Sequence, residues 1–251
     1  MSGHSKWATI RHKKGAADAK RGKMFSKLAR ELMVVARQGG GDPANNPTLR
    51  TVIQKAKSIN MPSDNIDRAI KKGTGEGDGA VFEEVLYEGY AAGGVGLMVL
   101  VLTDNKNRAA AEVRHTFTRH GSSLAAQGAV SRGFERRGQI FVEASKIEED
   151  KLMEIALEAG ADDMTRDGEQ FEILTAPSAF NGVTEALEGA GVETLGAEVA
   201  MVPVAPVPVT DKKVVRDVMR FIGALEENDD VQSVYSNMDV SDAIMTELDE
   251  E

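Results

Sequence analysis

The residues with the clearest chemical potential are cationic side chains near the amino terminus. Within the first 30 residues, nine Lys and Arg side chains are opposed by a single acid, Asp18. Each cation that reaches a phosphate releases a condensed counterion, so a handful of contacts supplies most of the affinity for DNA or RNA. The sequence therefore predicts a nucleic-acid-binding site made of His4, Lys6, Trp7, Arg11, Lys13, Lys14, Lys20, Arg21, Lys23, Lys27 and Arg30.

Trp7 is the only tryptophan of the chain and lies beside Lys6. Two interpretations of this residue stay open at the level of sequence. An exposed indole can stack on an unpaired base, whereas a large aromatic side chain in a small helical module more often fills the core.

Charge is divided unevenly along the chain. The protein has 251 residues and a net charge of −10, yet residues 1–75 hold 16 Lys and Arg against 5 Asp and Glu, and residues 76–251 hold 14 against 35. The first part therefore carries +11 and the second −21. Such asymmetry indicates that the basic part meets a polyanion. The alternative is a basic surface that maintains solubility or docks on the acidic part of its own chain.

The candidate catalytic motifs of the sequence lack the structural context that their chemistry requires. The run Gly75 to Ala80 matches G-x-G-x-x-A, but it leads from a predicted helix into a predicted strand, the reverse of a nucleotide-binding loop. Four His are too few and too badly spaced for a metal site, and there is no Cys. Acidic pairs such as Asp229-Asp230 border helices and loops, where solvated carboxylates are expected. We predict no enzymatic activity, cofactor, metal or small-molecule substrate.

Helical periodicity governs the basic part. Apolar residues between Asp18 and Gln38 recur on one face at 100° per residue, while cations gather on the other. The run Gly39 to Gly41 ends this helix, and Pro47 and Pro62 open two more. Alternating glycines from Gly73 to Gly79 then predict a flexible joint. Residues 1–75 are thus predicted to form a basic three-helix domain.

Beyond the joint, short strands alternate with helices, which predicts an α+β fold. Two helices about 31 residues apart end alike, and this indicates a split β-α-β unit used twice, as in ferredoxin-like sandwiches. The helix expected at 211–226 and the strand at 231–235 lack partners of their own. We therefore predict a discontinuous middle domain, 81–134 plus 205–240, into which a second α+β domain, 135–204, is inserted.

No stretch is apolar enough to span a membrane, and the polar amino terminus is unlike a secretory signal. With no Cys for disulfides, these features favour a cytoplasmic protein without membrane contact.

Specific runs of residues resemble a known family. They are Gly3-His4-Ser5-Lys6-Trp7, Ile10 to Lys14, Asp18 to Lys23, Asn46 to Arg50, Arg68 to Gly73, Tyr87 to Tyr90 and Asp104 to Arg108. Together they are similar to the YebC family of probable transcriptional regulators, a group that also contains mitochondrial translational activators of cytochrome c oxidase. The resemblance implies three domains and a nonenzymatic, nucleic-acid-binding regulator of gene expression.

The kind of nucleic acid stays open. The resemblance favours DNA-binding transcriptional control, while the organellar relatives suggest a ribosome-associated factor that binds ribosomal RNA. A Lys-rich arm reads phosphate and shape and carries no evident code for bases, which favours shape recognition. A third hypothesis is an acidic scaffold that binds a basic protein partner.

Overall fold

The computed structural model describes residues 18–75 and 81–249 of the chain. The helices in these ranges are α1 (Asp18–Gly39), α2 (Pro47–Ser58), α3 (Ser63–Gly73), α4 (Lys106–Arg119), α5 (Glu149–Glu158), α6 (Phe180–Gly189), α7 (Lys212–Glu226) and α8 (Asp242–Asp249). The strands are β1 (Glu83–Tyr90), β2 (Gly96–Thr103), β3 (Ser123–Leu124), β4 (Phe134–Glu143), β5 (Ala161–Asp167), β6 (Gln170–Thr175), β7 (Thr194–Pro203), β8 (Val207–Pro208), β9 (Val231–Ser236) and β10 (Met238–Asp239). The fold is mixed α+β, with a helical region followed by sheets, which confirms the predicted class.

These elements form two compact units. Within the described residues, the first unit contains 18–75, 81–130 and 213–234, and the second contains 131–212 and 235–249. The proposed three-domain division, with boundaries at 75, 134 and 204, stays a prediction.

Three helices open the first unit. The side chain of Asn46 accepts a hydrogen bond from the backbone N–H of Leu49 at 3.0 Å and so caps α2, whose first turn holds Pro47. Pro62 lies one residue before α3, at its N-cap position. The apolar face predicted for α1 is buried here, in a core formed by Leu28, Leu32, Ala36, Leu49, Val52, Ala56, Met61, Ile66 and Ala69.

A four-stranded sheet follows in the same unit, in the order β3-β1-β2-β9. β1 and β2 form an antiparallel hairpin whose turn contains Gly93 and Gly94 at φ of 72° and 75°, a backbone region that favours glycine. β9 comes from a distant part of the sequence and lies beside β2. The apolar faces of α4 and α7 are buried, and Phe117 meets Phe221 edge to face with 4.8 Å between ring centroids.

The second unit contains an antiparallel sheet in the order β5-β6-β4-β7. Along the chain, its elements run β4-α5-β5-β6-α6-β7, which is the predicted split β-α-β arrangement used twice. Its core includes Ile140, Val142, Phe171 and Ile173 from the strands, together with Leu152, Val183 and Leu187 from the two helices.

Several short or polar elements were not predicted. β5 reads Ala-Asp-Asp-Met-Thr-Arg-Asp and pairs only with β6, so as an edge strand it has no apolar alternation to signal it. β8 and β10, of two residues each, form a two-stranded parallel pair. None of the helices in the described ranges is both long and apolar enough to cross a membrane.

Candidate nucleic-acid interface

The structure describes the side chains of three residues in the predicted binding site, Lys23, Lys27 and Arg30. Their spacing of four and three residues places them on one face of α1. The other predicted residues lie outside the described side chains: His4, Lys6, Trp7, Arg11, Lys13, Lys14, Lys20 and Arg21. Both interpretations of Trp7 consequently stay open.

Lys23, Lys27 and Arg30 contact backbone carbonyl groups at the end of α7, and we call them the docked cations. The Lys23 Nζ donates a hydrogen bond to the carbonyl of Glu227 at 2.9 Å, and the Lys27 Nζ donates to that of Glu226 at 2.7 Å. Arg30 Nη1 donates to the carbonyl of Asp229. Carbonyl groups at a helix carboxyl end lack intrahelical partners and carry partial negative charge, which cations stabilise.

Lys27 is the most enclosed of the docked cations. Burial lowers the pKa of Lys27 below its ordinary value of 10.5 because the charged ammonium loses water, and Lys23 lowers it further. The carboxylate of Glu226 acts in the opposite direction. The ammonium group of Lys27 therefore loses part of its hydration and is held at the end of α7 by its hydrogen bond to the Glu226 carbonyl.

Asp230 extends this contact into the neighbouring sheet. Its buried carboxylate accepts hydrogen bonds from Arg108 Nη2 at 2.7 Å and from Thr103 Oγ1 at 2.9 Å, and it lies 3.7 Å from Arg30 Nη1. Its backbone carbonyl accepts from Leu102 at 2.8 Å. The expectation of a solvated Asp229-Asp230 pair was wrong for Asp230, which is 5% exposed. Sequence alone could not place Arg30 and Arg108 on either side of it.

A second set of cations in the helical region has a different setting. Arg37, Arg68 and Lys72 line two cavities of about 460 and 220 Å³ along the seam between α1 and α3. All three side chains are exposed. We call these residues the groove cations, and the pair of cavities the seam groove. None of them was among the predicted site residues.

The two cavities lie side by side because both are lined by Met33 and Lys72. The larger one is further lined by Val34, Ala36, Val81 and Phe82, and the smaller one by Phe25, Ala29, Met61 and Ala69. Among the described residues that line either cavity there is no Asp or Glu. The seam groove is therefore lined by apolar side chains together with the three groove cations.

Gly73 determines how closely α3 approaches α1 at this groove. A Cβ atom at this position would collide with the backbone carbonyl oxygen of Met33 and lie 2.9 Å from the Met33 Cα and 3.0 Å from the Ala36 Cβ. Because backbone atoms cannot move aside as a flexible side chain can, only glycine permits this contact. The contact holds Lys72, the preceding residue, beside α1.

No group of three or more His, Asp or Glu side chains within residues 18–75 and 81–249 could hold a metal ion. His115 is exposed and His120 stacks on Phe221 with ring centroids 4.9 Å apart.

Comparison with known proteins adds the family. The model of the TACO1/YebC protein N-terminal domain matches residues 5–76, and the model of the TACO1/YebC second and third domain matches residues 82–238. The chain belongs to the TACO1/YebC family. Together, the two matches cover nearly the whole sequence, including every strand of the two four-stranded sheets.

Similar members of the TACO1/YebC family occur in several bacteria. A probable transcriptional regulatory protein of Desulfotalea psychrophila is 51% identical over 250 residues, covering 100% of both chains. One from Rubrobacter xylanophilus is 52% identical and covers 99% of each chain, and one from Treponema pallidum is 54% identical and covers 96% of this chain and 98% of its own. The names of these relatives describe regulators, not enzymes.

A solved structure supports the fold. The crystal structure of a conserved hypothetical protein from Aquifex aeolicus superimposes with a TM-score of 0.85 at 49% identity, covering 94% of this chain and 98% of that one. The TACO1/YebC membership and the α+β architecture therefore agree.

Proposed function

We propose that this protein is a nonenzymatic regulator of transcription that binds DNA through its basic amino-terminal part. The observation that carries this proposal is the concentration of charge, +11 in residues 1–75 of a chain whose net charge is −10. A basic region on an otherwise acidic molecule attracts a polyanion while the rest of the chain repels it. The names of the relatives, all probable transcriptional regulatory proteins, support the same assignment.

The docked cations limit how that binding is arranged. Lys23, Lys27 and Arg30 already have carbonyl partners on α7, so a phosphate would have to displace them. The proposal therefore places the main phosphate contacts on the remaining cations of the arm, from Lys6 to Arg21. Localisation in the cytoplasm, where the chromosome of a bacterium lies, is part of the same proposal.

The test compares two variants with equal changes of charge. Lys13 and Lys14 are replaced by Glu in one, and Lys146 and Lys151, two exposed lysines of the second unit, in the other. Binding of fluorescent duplex DNA and duplex RNA is measured by anisotropy across a range of salt concentrations. We expect the arm variant alone to bind duplex DNA roughly 10- to 100-fold more weakly, with a salt slope smaller by about 2.

Each other outcome has a definite meaning. If both variants bind as the wild type does, the arm is not the binding site and the proposal fails. If the wild type binds duplex RNA far more tightly than duplex DNA, the target is RNA and the ribosome-associated role replaces transcriptional control. If the wild type binds neither duplex DNA nor duplex RNA, the acidic scaffold is the better hypothesis.

A further inference from the structure

We propose that the seam groove between α1 and α3 is a second nucleic-acid site, which holds unpaired nucleotides with their phosphates on Arg37, Arg68 and Lys72. This inference rests on the proposed function, since it assumes that the helical region meets nucleic acid. It assigns a site and a ligand form that the predicted arm does not include.

The groove extends along most of the seam between α1 and α3. Its lining runs along α1 from Phe25 and reaches Gly40, just beyond the end of that helix, and it runs along α3 from Asn65 to Gly73. At a rise of 1.5 Å per residue, the α1 segment spans about 20 Å. The two cavities share Met33 and Lys72 and so lie next to each other along the seam, on the path that a bound strand would follow.

The groove carries positive charge from three side chains. Arg37 lies at the end of α1, while Arg68 and Lys72 are one turn apart on α3. These three cations line the two cavities with their side chains exposed. Their positive charge complements the phosphates of a polyanion.

The apolar residues that line the groove favour unpaired over paired nucleotides. Met33 and Phe82 are half-buried and Val81 is 49% exposed, so apolar surface remains open to water between the cations. A duplex presents phosphates and would leave this surface uncovered. Unpaired bases present flat apolar faces that cover such surface, and grooves for single strands combine apolar or aromatic platforms with flanking cations.

Phe82 is held in place for this role. The guanidinium of Arg30 lies over its ring, 5.6 Å from the centroid, and the backbone of Arg30 belongs to the rigid α1. Arg30 is in turn fixed by the carbonyl of Asp229. Arg30, one of the docked cations, therefore positions Phe82, one of the residues that line the groove.

The test uses a triple variant with an equally charged control. Arg37, Arg68 and Lys72 are changed to Gln in the groove variant. Two exposed arginines and one exposed lysine of the same unit, Arg114, Arg119 and Lys57, are changed to Gln in the control. Anisotropy measures the affinity of the full-length proteins for single-stranded DNA, single-stranded RNA, duplex DNA and an abasic single strand of equal length.

We expect the groove variant to bind single strands roughly 10- to 100-fold more weakly than the wild type, with a salt slope smaller by about 2, while the control changes by less than about threefold. The wild type should prefer a normal over an abasic strand by roughly tenfold, and this preference should fall in the groove variant. DNA and RNA strands distinguish which sugar the groove accepts.

Equal losses in the groove variant and the control overturn the inference, as does equal affinity of the wild type for normal and abasic strands. The Lys13 and Lys14 variant separates this failure from that of the proposed function. If that variant loses binding while the groove variant behaves as the control does, the arm binds nucleic acid and the groove does not. If the wild type binds no probe, both fail.

Discussion

Two sets of cations on the same helical region have opposite environments. Lys23, Lys27 and Arg30 donate to carbonyl groups at the end of α7, whereas Arg37, Arg68 and Lys72 are exposed beside the seam groove. Identical side-chain chemistry thus serves internal packing in one place and stays accessible in the other. A cationic side chain therefore adds to the affinity for a ligand only where the chain itself does not already supply its hydrogen-bond acceptor.

The docked set contributes to stability because its acceptors would otherwise be incomplete. Carbonyl groups in the last turn of a helix and in the loop beyond it need donors from outside the helix. A hydrogen bond from a charged donor contributes about 1.5 to 3 kcal/mol, more than a neutral one. We therefore expect substitutions in the docked set to change stability first, and substitutions in the groove set to change ligand affinity first.

The largest effect is expected from Asp230→Ala, which tests whether the docked region is structural. The variant leaves Arg108 without its buried acceptor and Thr103 without its 2.9 Å partner, so the free energy of unfolding should fall by about 3 kcal/mol. Urea denaturation followed by circular dichroism measures the change. Asp229→Ala is the matched control, because the Asp229 side chain is exposed and its carbonyl, the acceptor of Arg30, is retained. Equal urea midpoints for the two variants would show that the Asp230 carboxylate does not stabilise the docked region.

A smaller effect is expected from Gly73→Ala, which tests whether the groove is a fixed feature. The added Cβ meets the Met33 backbone, so α3 must move away from α1 at a cost of about 2 kcal/mol. Gly22→Ala is the control, since no atom lies within 4 Å of its Cβ position and alanine favours a helix by about 0.5 to 1 kcal/mol. Thermal denaturation should therefore show opposite signs. A neutral Gly73→Ala would mean that the seam is loose.

The sequence predicted much of the fold because the signals were local. The apolar face of α1, the prolines that open α2 and α3 and the repeated split β-α-β unit all lie within short windows. β5 escaped because an edge strand of Asp, Thr and Arg carries no period-two apolar pattern.

The candidate site was less predictable, since it depends on distant contacts. Lys23 and its acceptor at Glu227 are 204 residues apart, and nothing in either segment indicates the other. The open alternative, that basic residues dock on the acidic part of the chain, holds for these three cations, although the main acceptors are carbonyl groups and not carboxylates. Arg37, Arg68 and Lys72 come together only when Gly73 brings α3 against α1.

The smallest effect on stability is expected from Lys27→Met, and this effect should depend on pH. Methionine retains the apolar stem but loses the 2.7 Å hydrogen bond to Glu226, so the free energy of unfolding should fall by about 1 kcal/mol at neutral pH. Lys57→Met, at an exposed lysine in the last turn of α2, should change it by less than about 0.5 kcal/mol.

The sign of the pH dependence follows from the lowered pKa of Lys27. Because the folded protein releases this proton below the ordinary value of 10.5, the unfolded chain binds more protons in the window beneath that value. The free energy of unfolding of the wild type therefore gains from this lysine as pH rises through that window, and Lys27→Met lacks the gain. The difference in stability between wild type and variant should widen as pH approaches 10.5. A constant difference would show that the pKa of Lys27 is the same in the folded and the unfolded chain, so that burial does not lower it.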